Sequence, residues 1–403
     1  MENKSSFRFL WIGQSLANCG DVFYIVALIT ILYQATGSAL YLAAVPFLMT
    51  LSRFTSGAVA PLLLDRFSLK GLLLYAQLGK TLALLSLVII TWSDLSGMVI
   101  GLTFLFVTCV AFLDGWASPA RNALIPQLIP PNQLVKANSF LAIIDQSIRL
   151  GAWPIGGMLV AFLDAKFLLW FTVVLFVLAT IFMTFIDKHV KVEPQKPTTS
   201  KWHSLKEGWT VIWSTPFLRI FSMVECIEAI AGVVWIAAIL FVYIEEVLHA
   251  SEQWWGYINA SFFAGLMLGG LISLWLSDRI NQHLLRFIIV GAGVVAVLTL
   301  GFGLITNPWF ALLLSFFIGF IMQIKDISQQ TLIQTRTQQE VLPKVYAANE
   351  TILAGAFGFS SLLFGYVTDL CGVRITFCLA ASLLFVTTML LFRNRHIIHS
   401  STV

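Results

Sequence analysis

Apolar runs of about 20 residues or more, broken by glycine, proline and clustered charges, recur from one end of the chain to the other. They predict twelve membrane-crossing helices near 8–34, 39–64, 70–92, 97–127, 135–163, 166–187, 215–247, 252–277, 284–305, 308–335, 343–368 and 373–393. One long polar stretch, 188–214, interrupts the series. It carries Lys188, Lys191 and Lys196 with Pro194 and Pro197, which is linker chemistry. Its end is amphipathic: Trp202, Leu205, Trp209 and Ile212 recur at helical spacing beside Lys201 and Lys206. This predicts a helix lying at the headgroup level. The chain therefore divides into residues 1–187, a linker at 188–214, and residues 215–403. The fold class is an all-α membrane protein of two pseudo-symmetric six-helix bundles.

Composition excludes the alternatives. Of 403 residues, 58% are hydrophobic and only 11% charged, where a soluble domain carries roughly 25% charged residues. The mean hydropathy is +0.88. A soluble enzyme or a nucleic-acid binder cannot be built from this surface. The opening MENKSSFRFLWIG has no small-residue cleavage site, so the first span is expected to be retained. The five cysteines, Cys19, Cys109, Cys226, Cys371 and Cys378, form no C-x-x-C pair and read as small hydrophobes rather than metal ligands or disulfides. No phosphate-binding loop, zinc motif or nucleophile elbow occurs. No enzyme activity, cofactor or metal is expected, and the energy source is expected to be an ion gradient.

Charge placement orients the chain. With the N-terminus inside, 18 of the 24 Lys and Arg fall in cytoplasmic segments and only Lys166 and Arg374 in the opposite loops, which predicts two cytoplasmic termini. The halves also repeat. Asp65-Arg66 recurs as Asp278-Arg279, Ala123-Leu124-Ile125 as Thr331-Leu332-Ile333, and Ala137-Asn138 as Ala348-Asn349, at offsets of 213, 208 and 211. Duplicated halves of this kind place a substrate site where they face each other.

Charges inside spans are costly, about 2.5–3.5 kcal/mol each on insertion scales, so each needs a reason. Asp21, after Gly20, lies near the middle of the first span. It reads either as a proton-exchanging carboxylate or as the ion-pair partner of Arg53 or Lys80. Glu225 and Glu228 share one face at i, i+3, and Glu228 follows Asp21 by 207 positions, making it the repeat partner. This pair reads as a second proton site, or as protonated acids bonded to a neighbouring helix. Asp145 and Arg149 are spaced to pair directly or to meet substrate. Asp114, Lys325 and Asp326 are placed nearer the cytoplasmic third, as an inner gate or a tie between halves. Phe23, Tyr24, Phe112, Trp116, Trp235 and Phe320 are aromatic candidates for a cavity lining. Mid-span acids outnumber bases, which suits an amphiphilic cation better than an organic anion.

Three stretches resemble the major facilitator superfamily. Pro61-Leu62-Leu63-Leu64-Asp65-Arg66-Phe67-Ser68-Leu69-Lys70 resembles its loop 2–3 signature at Asp65, Arg66 and Lys70, with Pro61, Ser68 and Leu69 departing from it. Ser15 to Asp21, and Ser118 to Pro126 continuing to Asn138, together resemble the twelve-helix macrolide-efflux type of drug:proton antiporter. The helix 5 antiporter motif is partial, Trp153-Pro154-Ile155-Gly156-Gly157. The resemblance implies a bacterial plasma-membrane transporter, monomeric, embedded in the lipid bilayer and binding a small-molecule substrate and protons. It implies proton-coupled export of bulky hydrophobic or amphiphilic compounds, macrolide-like or multidrug. The other readings are carriage of one defined metabolite, such as a siderophore or peptide antibiotic, or lysolipid flipping without protons. It also implies a gating role for Asp65, Arg66, Lys70, Asp278 and Arg279.

Overall fold

A computed structural model describes residues 2–91, 97–186 and 201–400. Every regular element among them is helical. In chain order these are α1 (Glu2–Thr36), α2 (Ala39–Leu64), α3 (Leu69–Ile90), α4 (Gly97–Leu128), α5 (Leu134–Leu163), α6 (Ala165–Thr184), α7 (Lys201–Ser214), α8 (Pro216–Ala231), α9 (Ala237–Glu246), α10 (Gln253–Trp275), α11 (Ser277–Gln282), α12 (Leu284–Leu304), α13 (Pro308–Arg336), α14 (Leu342–Cys371), α15 (Val373–Arg393) and α16 (Arg395–Ser400). The expected boundaries hold closely, and the termini of the elements follow local chemistry. Ser68 caps α3 by accepting from the Gly71 amide at 3.1 Å. The serine that replaces a signature glycine thus has a structural task. Asn307 caps α13, with Pro308 at its first position. Gly37 (φ 60°) and Gly372 (φ 86°) make the turns after α1 and α14 in the left-handed region.

Ten of these helices are long and apolar enough to cross a bilayer, eleven counting the broken pair α8 and α9. The remaining long helix, α5, has 30 residues and carries Lys136, Asp145 and Arg149. The twelve-span expectation is met in kind, with one departure. The single helix expected over 215–247 breaks at a 3-10 turn, Gly232–Trp235, after which Ile236 is extended (φ −67°, ψ 152°). Trp235 is wedged between Phe302 and Phe377, at ring centroid distances of 4.8 and 5.6 Å, and holds the break in place. The linker's end forms α7, distinct from α8. The earlier part of the linker, 188–200, lies outside the described residues.

The chain forms two compact units. One comprises Met1–Pro130, Ser147–Trp209 and Gln339–Thr351; the other comprises Pro131–Gln146, Thr210–Gln338 and Ile352–Val403. In the first unit α1 packs on α6, α3 on α4 and α6, and α2 on α4. Its core includes Tyr24, Leu28, Leu84, Val107, Leu168 and Phe176, all buried. In the second, α10 packs on α13, α12 on α13 and α15, and α8 on α15 around Tyr243, Phe302, Ile318 and Phe377. The α10–α13 crossing is backbone to backbone. A Cβ at Gly265 or Gly269 would strike the Phe316 or Phe320 carbonyl, and one at Gly319 the Phe262 carbonyl. Small residues spaced by four allow helices in lipid this closeness, where dispersion replaces the hydrophobic drive.

The unit boundaries differ from the halves of the sequence by two short exchanges. The first turns of α5 belong with the later helices, where Asn138 donates to Thr331 Oγ1 (2.9 Å) and Gln334 Oε1 (2.8 Å) on α13. The first turns of α14 belong with the earlier helices.

Candidate functional site

In the first unit four charged side chains meet inside the helices. Lys80 on α3, only 2% exposed, donates to Asp21 Oδ2 on α1 at 2.8 Å and to Asp114 Oδ1 on α4 at 3.0 Å. Asp114 Oδ2 in turn pairs with Arg53 on α2 at 2.9 Å. Four helices thus share one alternating chain of charges, Asp21–Lys80–Asp114–Arg53. A buried cation is tolerable only when its charge and its hydrogen bonds are both answered, and two carboxylates do this for Lys80. The Lys80 ammonium also lies 5.2 Å from the centre of the Phe176 ring. That same ring occupies the space beside Gly20, 2.7 Å from where a Cβ would stand. The glycine before Asp21 therefore admits an aromatic ring.

A further acid belongs here. Glu350 on α14 accepts from Ser118 Oγ on α4 at 2.7 Å. Ser118 stands one turn from Asp114 on α4, so Glu350 adjoins the same group of charges. Glu350 has no ion pair among the described residues. The group therefore holds three acids against two bases. Sequence reasoning gave Glu350 no role, because its partner lies 232 positions away.

In the second unit Lys325 on α13, 5% exposed, pairs with Glu228 Oε2 on α8 at 2.6 Å and with its neighbour Asp326 at 3.3 Å. One turn along, Gln329 Nε2 donates to Glu225 Oε1 at 2.7 Å. The two glutamates expected to compete on one helix face are thus answered separately, one by a cation and one by an amide. Asp114 and Lys325 share their clusters with Asp21 and Glu228.

The turn after α2 carries a separate cluster. Lys344, at the start of α14, pairs with Asp65 and with Glu207 Oε2 of α7, the latter at 2.6 Å. Gly208 lets α7 lie against the α14 backbone, since a Cβ there would strike the Lys344 carbonyl. Lys70 donates to the carbonyls of Thr184 (2.9 Å) and Ile186, closing the end of α6. Arg66, Asp278 and Arg279 are exposed. Several aromatic candidates are core instead of cavity. Phe23 and Tyr24 are 4% and 1% exposed, and the Tyr24 hydroxyl meets Met49 Sδ at 3.7 Å. Among the described residues no group of His, Cys, Asp and Glu could hold a metal ion.

A family model of the Major Facilitator Superfamily matches residues 10–360. The chain is 31% identical over 380 residues to the MFS-type transporter YfmI of Bacillus subtilis, covering 94% of this chain and 93% of that one. It is 21% identical over 391 residues to macrolide efflux protein A of Streptococcus pyogenes, covering 94% of each. Among solved structures, the human organic anion transporter MFSD10 superposes with a TM-score of 0.78 at 11% identity, over 97% of this chain and all of that one. A bacterial homologue of the iron transporter ferroportin, in an outward-facing state, superposes with a TM-score of 0.78 at 12% identity, over 96% and 98%. Both likenesses show the fold. Helical spans, matching family model and relatives of near-equal length agree: this chain is a multi-span membrane transporter of the major facilitator superfamily.

Proposed function

We propose that the chain is a proton-coupled exporter of bulky hydrophobic or amphiphilic compounds in a bacterial plasma membrane, with both termini cytoplasmic. The observation that carries the coupling is the charge count in the first unit. Among the described residues, Asp21 and Asp114 pair with Lys80 and Arg53, and Glu350 makes no ion pair. Charges gathered within membrane helices are least costly when they sum to zero, and this set is neutral with one of its three carboxyls protonated. Asp114 is held by both cations, whereas Asp21 has Lys80 alone and Glu350 a hydroxyl. The exchangeable proton therefore resides on Asp21 or Glu350. Export is supported by the full-length likeness to a macrolide efflux protein and by the excess of acids over bases, which favours amphiphilic cations.

Two bundles, 1–187 and 215–403, joined by 188–214, would alternate access to the site. The Asp65–Lys344–Glu207 cluster is a latch, because the first turns of α14 cannot leave α2 and α7 without breaking it. The test is transport in proteoliposomes under an imposed pH gradient, with a radiolabelled macrolide and an amphiphilic dye cation as probes. Wild-type protein is expected to concentrate one or both, with proton counterflow. Asp21→Asn and Glu350→Gln are each expected to abolish accumulation while leaving energy-independent exchange. Accumulation without proton flux would overturn the coupling.

A further inference from the structure

Near the end of the chain a cavity of about 480 Å³ opens between α11, α12, the end of α13 and α16. Its volume falls within the ~300–1,000 Å³ range of small-ligand sites. Three arginines from three elements converge on it: Arg286 of α12, Arg336 at the last position of α13, and Arg395 at the first of α16. His283 joins them, and among the described residues no acidic side chain lines the cavity. Like charges do not gather around an acid-free hollow without cost, so the arrangement calls for an anion.

Two of the arginines are held in place. Arg336 Nη1 donates to the Ile398 carbonyl at 2.6 Å, which fixes its guanidinium beside α16. Arg395 rests on the Phe392 ring, 4.5 Å from its centroid. Arg286 is exposed and has no partner among the described residues. Planar guanidinium forks match phosphate oxygens in pairs, which a point charge such as lysine does not.

The other wall is apolar. Val290, one turn beyond Arg286, and Phe392 line the same cavity and are each 56% exposed. A small soluble anion gains nothing from that wall. A phospholipid gains from both, its phosphate on the arginines and its chains along Val290 and Phe392. A zwitterionic headgroup would bring an ammonium into a cluster of cations. We propose that this cavity is a binding site for an anionic phospholipid of the leaflet facing the α12–α13 ends that carry these arginines.

The test uses the purified full-length protein in neutral detergent, with phosphatidylglycerol, phosphatidylcholine and inorganic phosphate as probes, read by native mass spectrometry and thermal unfolding. Phosphatidylglycerol is expected to stay bound and to raise the melting temperature, and phosphatidylcholine to do neither. The double variant Arg286→Gln/Arg395→Gln is expected to bind phosphatidylglycerol at least tenfold more weakly. The control Arg8→Gln/Arg219→Gln removes equal charge from exposed sites outside the cavity and should bind as wild type. If the double variant does not fold, Arg286→Glu alone, at an exposed position, carries the same test. Equal weakening by the control would mean general surface attraction and would overturn the site. So would equal retention of both lipids, or displacement of phosphatidylglycerol by millimolar inorganic phosphate, which would make the ligand a soluble anion.

Discussion

The two halves solve one problem with opposite charge patterns. Lys80 on α3 reaches Asp114 on α4 and Asp21 on α1. In the second half the lysine comes instead from α13, as Lys325, and answers Glu228, which stands for Asp21 at an offset of 207; the position 211 beyond Lys80 is Gly291 on α12. The cation has moved from the third helix of its half to the fourth. Gly291 leaves room for Lys325: a Cβ there would lie 2.9 Å from the Lys325 Cβ. The first half therefore has two acids sharing a lysine, with an arginine behind them. The second has one lysine serving mainly one acid. The lesson is that losing one acid leaves the first cluster's lysine still answered, whereas the second has little in reserve.

That asymmetry gives the largest expected effect. Glu228→Gln leaves Lys325 with only Asp326, which is 3.3 Å away and 44% exposed. Stranding a buried charge costs about 3–5 kcal/mol, and Glu228→Gln should approach the lower end. Asp21→Asn leaves Lys80 on Asp114 and should cost about 1 kcal/mol, a lost hydrogen bond's worth. Melting temperatures of the purified variants decide the matter. Equal losses would break the comparison, and restoration of Glu228→Gln by a second change, Lys325→Gln, would sharpen it.

The glycine is the next test. Gly291→Leu should destabilise by about 1–3 kcal/mol through overpacking against Lys325. The same substitution at Gly301, whose Cβ would meet only Leu314 at 3.7 Å, should cost less. Equal thermal shifts for the two would show that the close approach at Lys325 has no energetic weight.

How much of this was legible depended on whether a partner was near in sequence. The spans and the linker helix α7 follow from hydropathy, and the expense of buried charge marks Lys80 as one of two possible partners for Asp21. The roles of Asp114 and Lys325 do not follow in this way. Their partners, Lys80 and Arg53 for Asp114 and Glu228 for Lys325, lie on other helices, 34 to 97 positions away in the chain. Glu350 was hidden because the first turns of α14 pack with the early helices. The break after α8 was hidden because it is set by the Phe302 and Phe377 rings, far along the chain.

The smallest effects concern the repeated Asp-Arg turns, where the sequence is most symmetrical and the structure least. Asp65 is half-buried and paired with Lys344, which also holds Glu207. Asp278, its counterpart, is exposed and makes no ion pair among the described residues. Asp65→Asn should cost about 1 kcal/mol, since Lys344 keeps Glu207 and the site is open to solvent on one side. Asp278→Asn should stay within about 0.5 kcal/mol, as surface changes do. The larger difference is kinetic. If the Asp65 cluster must open for α14 to move, Asp65→Asn changes the rate of transport and leaves probe affinity near wild type, while Asp278→Asn changes neither. Transport rates and equilibrium probe binding on the same two variants separate these outcomes. Matching rate changes for both would mean that the turn, and not its ion pair with Lys344, controls the cycle.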